Sequence, residues 1–267
     1  MCRFGVAAWC LNVEQHEAIR TASSLGLEAI HLDFGRMGSE WKQWSPGDVG
    51  GLRKDAENYG VRIEAVALNV LEVISCAQSR HSIAGKRCRD IALMAIDSAE
   101  QLDAEFVYVP CFGENEIKTA EDLSRHAEFM HELCMRLNGS CLVLASENTL
   151  DGPKNLKLIS EVGHPRMCIL FDLYNPMIHG IDSCSLLKSI RPHMCESIHI
   201  KDGVGGVCGD VPIGEGDAKL HECASILMSS HFGGSVILEN KYFHETERRI
   251  ESDLRTARSL FVESRAL

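Results

Sequence analysis

Eight short apolar runs recur along the chain, each followed by a turn and a stretch in which apolar residues return every third or fourth position. In order they are FGVAAWCL (4–11), LEAIHLDF (27–34), RIEAVALNVL (62–71), AEFVYVPCF (104–112), CLVLASEN (141–148), MCILFDLY (167–174), ESIHIKD (196–202) and SVILENKY (235–242). The runs are nearly continuous in Val, Ile, Leu, Ala and Phe rather than alternating with polar residues. That is the pattern of strands covered on both faces in a parallel sheet. The helical spacing predicts helices over 15–25, 46–59, 83–102, 119–137, 155–162, 184–191 and 217–230, and a last one from about 245 to 263. Gly26, Gly60 and Gly139 stand at or just past predicted helix ends, where a left-handed residue closes the final turn. Pro46, Pro153, Pro165 and Pro176 are expected in connections rather than within helices.

Eight strand–helix units in 267 residues are what a (β/α)8 TIM barrel requires. The rival, an open doubly wound sheet, advertises itself with G-x-G-x-x-G after its first strand, whereas AAWCLNV here contains no glycine. No linker, low-complexity stretch or charge block divides the chain, so one domain over 1–267 is expected. A net charge of −11 argues against a nucleic acid partner, which is gripped through clustered Lys and Arg. Twelve cysteines never form a C-x-x-C pair, so neither a zinc knuckle nor a redox motif is indicated. With no export leader and no run of membrane-spanning length, the expectation is a protein of the reducing cytoplasm with no membrane partner.

Chemistry on such a barrel belongs at the C-terminal strand ends. The fifth run ends in Glu147 and Asn148, the sixth carries Asp172, the seventh His199, and the eighth Glu239. Three carboxylates and an imidazole on neighbouring strands would suit Mn²⁺, Mg²⁺ or Co²⁺ better than a thiolate-seeking metal. Taken singly, Glu147 also reads as a capping or solvated carboxylate, and His199 as a hydrogen-bonded core histidine. Against those readings, all four interrupt apolar runs, where an uncompensated charge costs several kcal/mol.

The order Glu-Asn after strand five, Asp after strand six, H-x-K-D on strand seven, G-E-G-D before helix seven and Glu closing strand eight resembles the sugar phosphate isomerase/epimerase family, the xylose-isomerase-like barrels. The likeness runs from residue 4 to about 260. It implies that Glu147, Asp172, His199 and Glu239 hold one divalent metal, most often Mn²⁺, with Mg²⁺, Co²⁺ or Zn²⁺ as alternatives. It also implies that Glu147 and Glu239 exchange protons with a sugar or sugar phosphate through an enediolate. The three-zinc, DNA-cleaving endonuclease IV branch fits poorly, because the chain is acidic and lacks extra histidines near strands three and four. Two positions depart from the pattern: Asn175 stands where many members have a histidine, and His31, followed by Asp33, where many have a glutamate.

Substrate contacts are expected from Lys201, Asp202, Asn175, His31, Asn69 and Lys241. Lys201 shares the His199 face by strand periodicity and reads equally as a surface lysine. Asp202 would orient Lys201 or cap the following loop. Trp9 reads as core packing or a sugar platform, and Cys10 and Cys111 have no evident base beside them. The six glycines of residues 203–216 do not follow a phosphate-loop spacing, and Asp217 is expected to cap the seventh helix ahead of Ala218. Three functions remain open: a metal-dependent isomerase or epimerase of a ketose, ketose phosphate or polyol ketone; a lyase of the inosose dehydratase kind; and a barrel that binds sugar or protein without catalysis. Barrels of the family often form dimers or tetramers, which leaves a homo-oligomer open.

Overall fold

The structure, a computed structural model, describes residues 2–35, 42–137, 139–243 and 246–262. Eight strands close into a parallel barrel: β1 (Arg3–Ala7), β2 (Ala29–Asp33), β3 (Arg62–Ala67), β4 (Phe106–Pro110), β5 (Val143–Glu147), β6 (Met167–Asp172), β7 (Met194–Ile200) and β8 (Ser235–Leu238). Their order around the ring is β1-β8-β7-β6-β5-β4-β3-β2. The helices are α1 (Gln15–Ser24), α2 (Pro46–Tyr59), α3 (Ile83–Gln101), α4 (Ala120–Arg136), α5 (Gly152–Val162), α6 (Ser183–Ile190), α7 (Leu220–Ser229) and α8 (Thr246–Val262). The expected (β/α)8 fold is therefore the observed one. Positions 245 and 263 of the last predicted helix lie outside the described residues.

Two apolar runs overshoot their strands. Their tails fold into 3₁₀ turns at Ala8–Leu11 and Asn69–Glu72, which are themselves largely buried and so carry the same apolar signal as the strands they follow. The prolines also need correction. Pro46 opens α2, Pro153 sits in the first turn of α5 and Pro176 in a single helical turn, Asn175–Ile178. A first turn has no use for the missing N–H, so proline is tolerated there. The left-handed glycines expected at helix ends are found at Gly26, Gly60 and Gly139, and Gly163 adds another at the end of α5.

Internal contacts group the chain into two compact units. The first comprises Met1–His31, Asp55–Arg62 and Phe171–Leu267. In it β1 lies between β8 and β2, with Gly5 opposite both Ile237 and Ala29, and Ile237 in turn opposite His199. A Cβ at Gly5 would run into the Ala29 carbonyl and stand 2.7 Å from Ile237 Cδ1, so only glycine fits. His31, Ser197, His199 and Ser235 of these strands are fully buried, which gives this part of the barrel polar side chains that must be satisfied internally. The second unit comprises Leu32–Lys54 and Ile63–Leu170. There β4 pairs with β3 and β5, α4 opens on a capping box between Thr119 and Asp122, and Asp151 caps α5. Among the described residues, no helix is long and apolar enough to cross a membrane.

Two glycine replacements are expected to act in opposite directions. Gly5→Ala overpacks the barrel wall and costs about 1–3 kcal/mol. Gly50→Ala, in the exposed middle of α2 with open space around its Cα, stabilises by roughly 0.5–1 kcal/mol. Urea denaturation of both variants measures the signs directly.

Candidate metal centre

Alternation along β7 places Ser197 and His199 on one face, and Lys201 follows in the same phase just past the strand. The buried His199 ring points Nδ1 at Glu239, 3.3 Å from Oε2, and Nε2 at His31, 3.1 Å from its Nδ1. Glu239 follows directly on β8 and is fixed by its own N–H, which donates to the Ile200 carbonyl at 2.9 Å. Lys201 Nζ donates to Glu239 Oε2 at 2.7 Å and lies 3.2 Å from Asp172 Oδ2. Asp172, at the end of β6, divides its oxygens. Oδ1 accepts the backbone N–H groups of Tyr174 and Asn175 at 2.8 and 2.6 Å, which leaves Oδ2 to face the ammonium.

Burial alone would raise the Glu239 carboxyl, but the Lys201 ammonium and the His199 ring more than reverse this and hold it below the usual carboxylate range. Together with Glu147 at the end of β5, these residues form a group in which Glu147, Asp172, His199 and Glu239 each offer one ligand atom, all within 4.8 Å of one another. Three carboxylate oxygens and one imidazole nitrogen are the donor set of a hard to borderline divalent cation. The ammonium already drawn to two of those carboxylates shows independently that this is a place for positive charge. The residues present therefore fit a divalent metal.

The other expected contacts are placed differently. Lys201 is 8% exposed, so it is a site residue rather than a surface one. Asp202 serves the loop. Its Oδ1 accepts from Gly203 and Ala218 N–H at 2.9 and 3.2 Å, and its Oδ2 from Gly214 and Gly216 N–H at 2.9 and 3.0 Å. Between these anchors a hairpin pairs Gly203–Val204 with Val207–Cys208 through the left-handed Gly205 and Gly206. Asp217 is not a helix cap, because α7 begins at Leu220. Its carboxylate instead accepts from Gly205 N–H at 2.8 Å. Lys241 is exposed and pairs with Asp210 at 3.2 Å. His31 is fully buried, with Nδ1 on His199 and Nε2 3.4 Å from Ser197 Oγ. Asn175 is buried in the turn that Asp172 caps, and Trp9 meets His199 edge-on at 6.3 Å between ring centroids.

Two features escaped the sequence reading. Asp33, at the end of β2, has its carboxyl raised to about 7 by burial, against the Asn69 backbone N–H that lowers it and with Glu72 adding to the rise. Asn69 thus meets a neighbouring acid through its backbone. The only sequence signal was a carboxylate closing an apolar run, the same signal that marked Asp172. Cys111 does have an imidazole beside it: His126 of α4 places Nε2 3.4 Å from Cys111 Sγ and Nδ1 3.0 Å from Cys76 Sγ. Burial pushes the Cys111 thiol to about 12 and His126 down to about 4, so both stay neutral and the cluster is packing, not a nucleophile.

A closed parallel barrel with buried acids and an imidazole at its strand ends defines a class, the (β/α)8 barrels whose chemistry sits at the C-terminal face, here with a side-chain group that could hold a divalent cation. Comparison with known proteins narrows this. The model of the xylose isomerase-like TIM barrel family matches residues 19–260, and the chain belongs to that family. It is 30% identical over 265 residues to a 2-epi-5-epi-valiolone 7-phosphate 2-epimerase of Actinoplanes sp., covering 99% of this chain and 96% of the relative. Among solved structures, an L-ribulose 3-epimerase superposes with a TM-score of 0.81 at 14% identity, covering 100% of this chain and 96% of the other. A D-allulose 3-epimerase from Methylomonas sp. with D-allulose gives 0.77 at 14% identity, over 97% and 96%. At that identity these two share the fold alone. The chain is an enzyme of the isomerase and epimerase kind.

Two stability effects follow from this geometry. Asp202→Ala removes four charge-assisted acceptor bonds and is expected to cost at least about 3 kcal/mol, with residues 203–218 becoming the first site of limited proteolysis. His126 binds a proton in the unfolded chain below about pH 6.5, but in the folded chain only near 4. Stability is therefore full above that window and falls as pH drops through it, by roughly 2 kcal/mol from pH 7 to 5. Urea midpoints at the two pH values, compared with those of His126→Phe, isolate this contribution, and an unchanged difference in the variant would refute it.

Proposed function

We propose that the protein epimerises or isomerises a ketose phosphate or a related phosphorylated polyol ketone, using a divalent cation held by Glu147, Asp172, His199 and Glu239. The observation that carries this reading is the convergence of those four side chains, with ligand atoms within 4.8 Å of one another. The full-length relative, itself named an epimerase of a 7-phosphate, supports a phosphorylated substrate. Mn²⁺ is the cation we expect, and the reducing cytoplasm the setting.

When bound, the cation polarises the substrate carbonyl and acidifies the neighbouring C–H. The protein supplies the rest. Glu147 and Glu239 are the two bases we assign to opposite faces of one substrate carbon. One takes the proton, an enediolate forms, and the other returns a proton to the far face to give the epimer. Returning it to the adjacent carbon gives the isomer. Lys201 keeps Glu239 ionised, so that this carboxylate is ready to accept, and its ammonium offers a donor to a substrate oxygen. The buried surroundings limit side reactions of the enediolate, while the proton returned is the one carried by the second glutamate, which solvent deuterium labels.

Solvent deuterium exchange into a panel of ketose phosphates and phosphorylated polyol ketones, with and without Mn²⁺, is the test. We expect metal-dependent exchange with epimer or isomer formation, and a loss of about 10²- to 10⁴-fold in Glu239→Gln. Exchange accompanied by loss of water would make the protein a lyase. Full turnover by Glu239→Gln would remove Glu239 from its acid–base role, and metal-free protein after chelator-free purification would refute the cation.

A further inference from the structure

His199 has a constraint that its role as a metal ligand does not meet by itself. Its ring is fully buried, with Nδ1 toward Glu239 and Nε2 toward His31. A neutral imidazole carries one proton, and the nitrogen that binds a cation must be the bare one. To present Nδ1 to the cation, His199 must therefore carry its proton on Nε2. That proton then needs an acceptor inside the barrel.

We propose that His31 is a positioning residue that sets the tautomer of His199. The proposal rests on the cation reading above and names how this chain supports its only nitrogen ligand. With the cation bound, His199 Nε2–H donates to His31 Nδ1 across 3.1 Å, and His31 in turn carries its proton on Nε2 and directs it at Ser197 Oγ, 3.4 Å away. In that arrangement each of the two rings carries a single proton, on Nε2.

A metal-ligating histidine usually donates its second N–H to a carboxylate, a carbonyl or water, groups that accept and hold it in one direction. Here an imidazole takes that place: His31 faces His199 Nε2 with Nδ1 and Ser197 Oγ with Nε2, so with its own proton on Nε2 it accepts the His199 N–H. Strand geometry makes the arrangement rigid, since Ser197 and His199 are two apart on β7 and His31 comes from β2.

The test uses the full-length protein and two readouts independent of turnover. First, Mn²⁺ affinity is measured by calorimetry for the wild type, His31→Phe and His31→Asn. The phenylalanine, which cannot accept, is expected to weaken binding about 10- to 100-fold. The asparagine, whose carbonyl oxygen can take the place of Nδ1, is expected to restore most of it. Second, the nitrogen shifts of histidine-labelled wild type loaded with diamagnetic Zn²⁺, assigned against His199→Gln, are expected to show both rings protonated on Nε2. Wild-type affinity in His31→Phe, no recovery in His31→Asn, or a proton on His31 Nδ1 in the loaded protein would each overturn the proposal while leaving the cation site standing. A wild type that binds no divalent cation would instead overturn the cation reading, and this proposal with it.

Discussion

An ammonium between two buried carboxylates governs the C-terminal mouth of the barrel. Lys201 reaches both Glu239 and Asp172, and neither acid could remain ionised at such depth without compensation. The ion pair ties the ends of β6, β7 and β8 together before any cation arrives, while the backbone donors on Asp172 fix the angle of its carboxylate. Preorganisation of this kind removes reorganisation from the binding step. It also means that the site's excess negative charge is partly offset by the protein itself, which moderates its pull on cations in general.

The fold was legible in the sequence because burial on both faces writes the strands as unbroken apolar runs. The same feature hid where strands stop: Val70 and Leu71 are buried and continue the apolar run of β3, although they belong to the 3₁₀ turn Asn69–Glu72. Glu147, Asp172, His199 and Glu239 were legible as interruptions in those runs. Their partners were not, since a side chain's chemistry depends on what faces it across the ring. Asp202 and Lys201 are adjacent in sequence, yet one is consumed by four loop amides and the other enters the site. His31 was expected at a strand end as a substrate contact, but it lies in the middle of β2, where its ring faces another histidine. Cys111 looked solitary because His126, fifteen residues on, comes from a helix that packs back over the strand.

Fold neighbours at 14% identity show how little sequence this barrel needs to persist. What persists is patterning, whereas function sits in a few strand-end positions that can change one at a time. Asn175, buried in the turn after β6, stands where many members of the family have a histidine. An amide in the turn after β6 presents both a donor and an acceptor but no titratable proton. On the proposed reading the acid–base work therefore falls to carboxylates, Glu147 and Glu239.

The glycine-rich stretch after β7 has a further mechanical consequence. One carboxylate pins both ends of residues 203 to 216, which close on themselves like a buckle, and the Gly205–Gly206 tip is fastened in turn to Asp217 and to the Tyr174 hydroxyl. Tyr174 in its turn donates its backbone N–H to Asp172. A change at the tip is therefore transmitted to the turn that orients a carboxylate of the site.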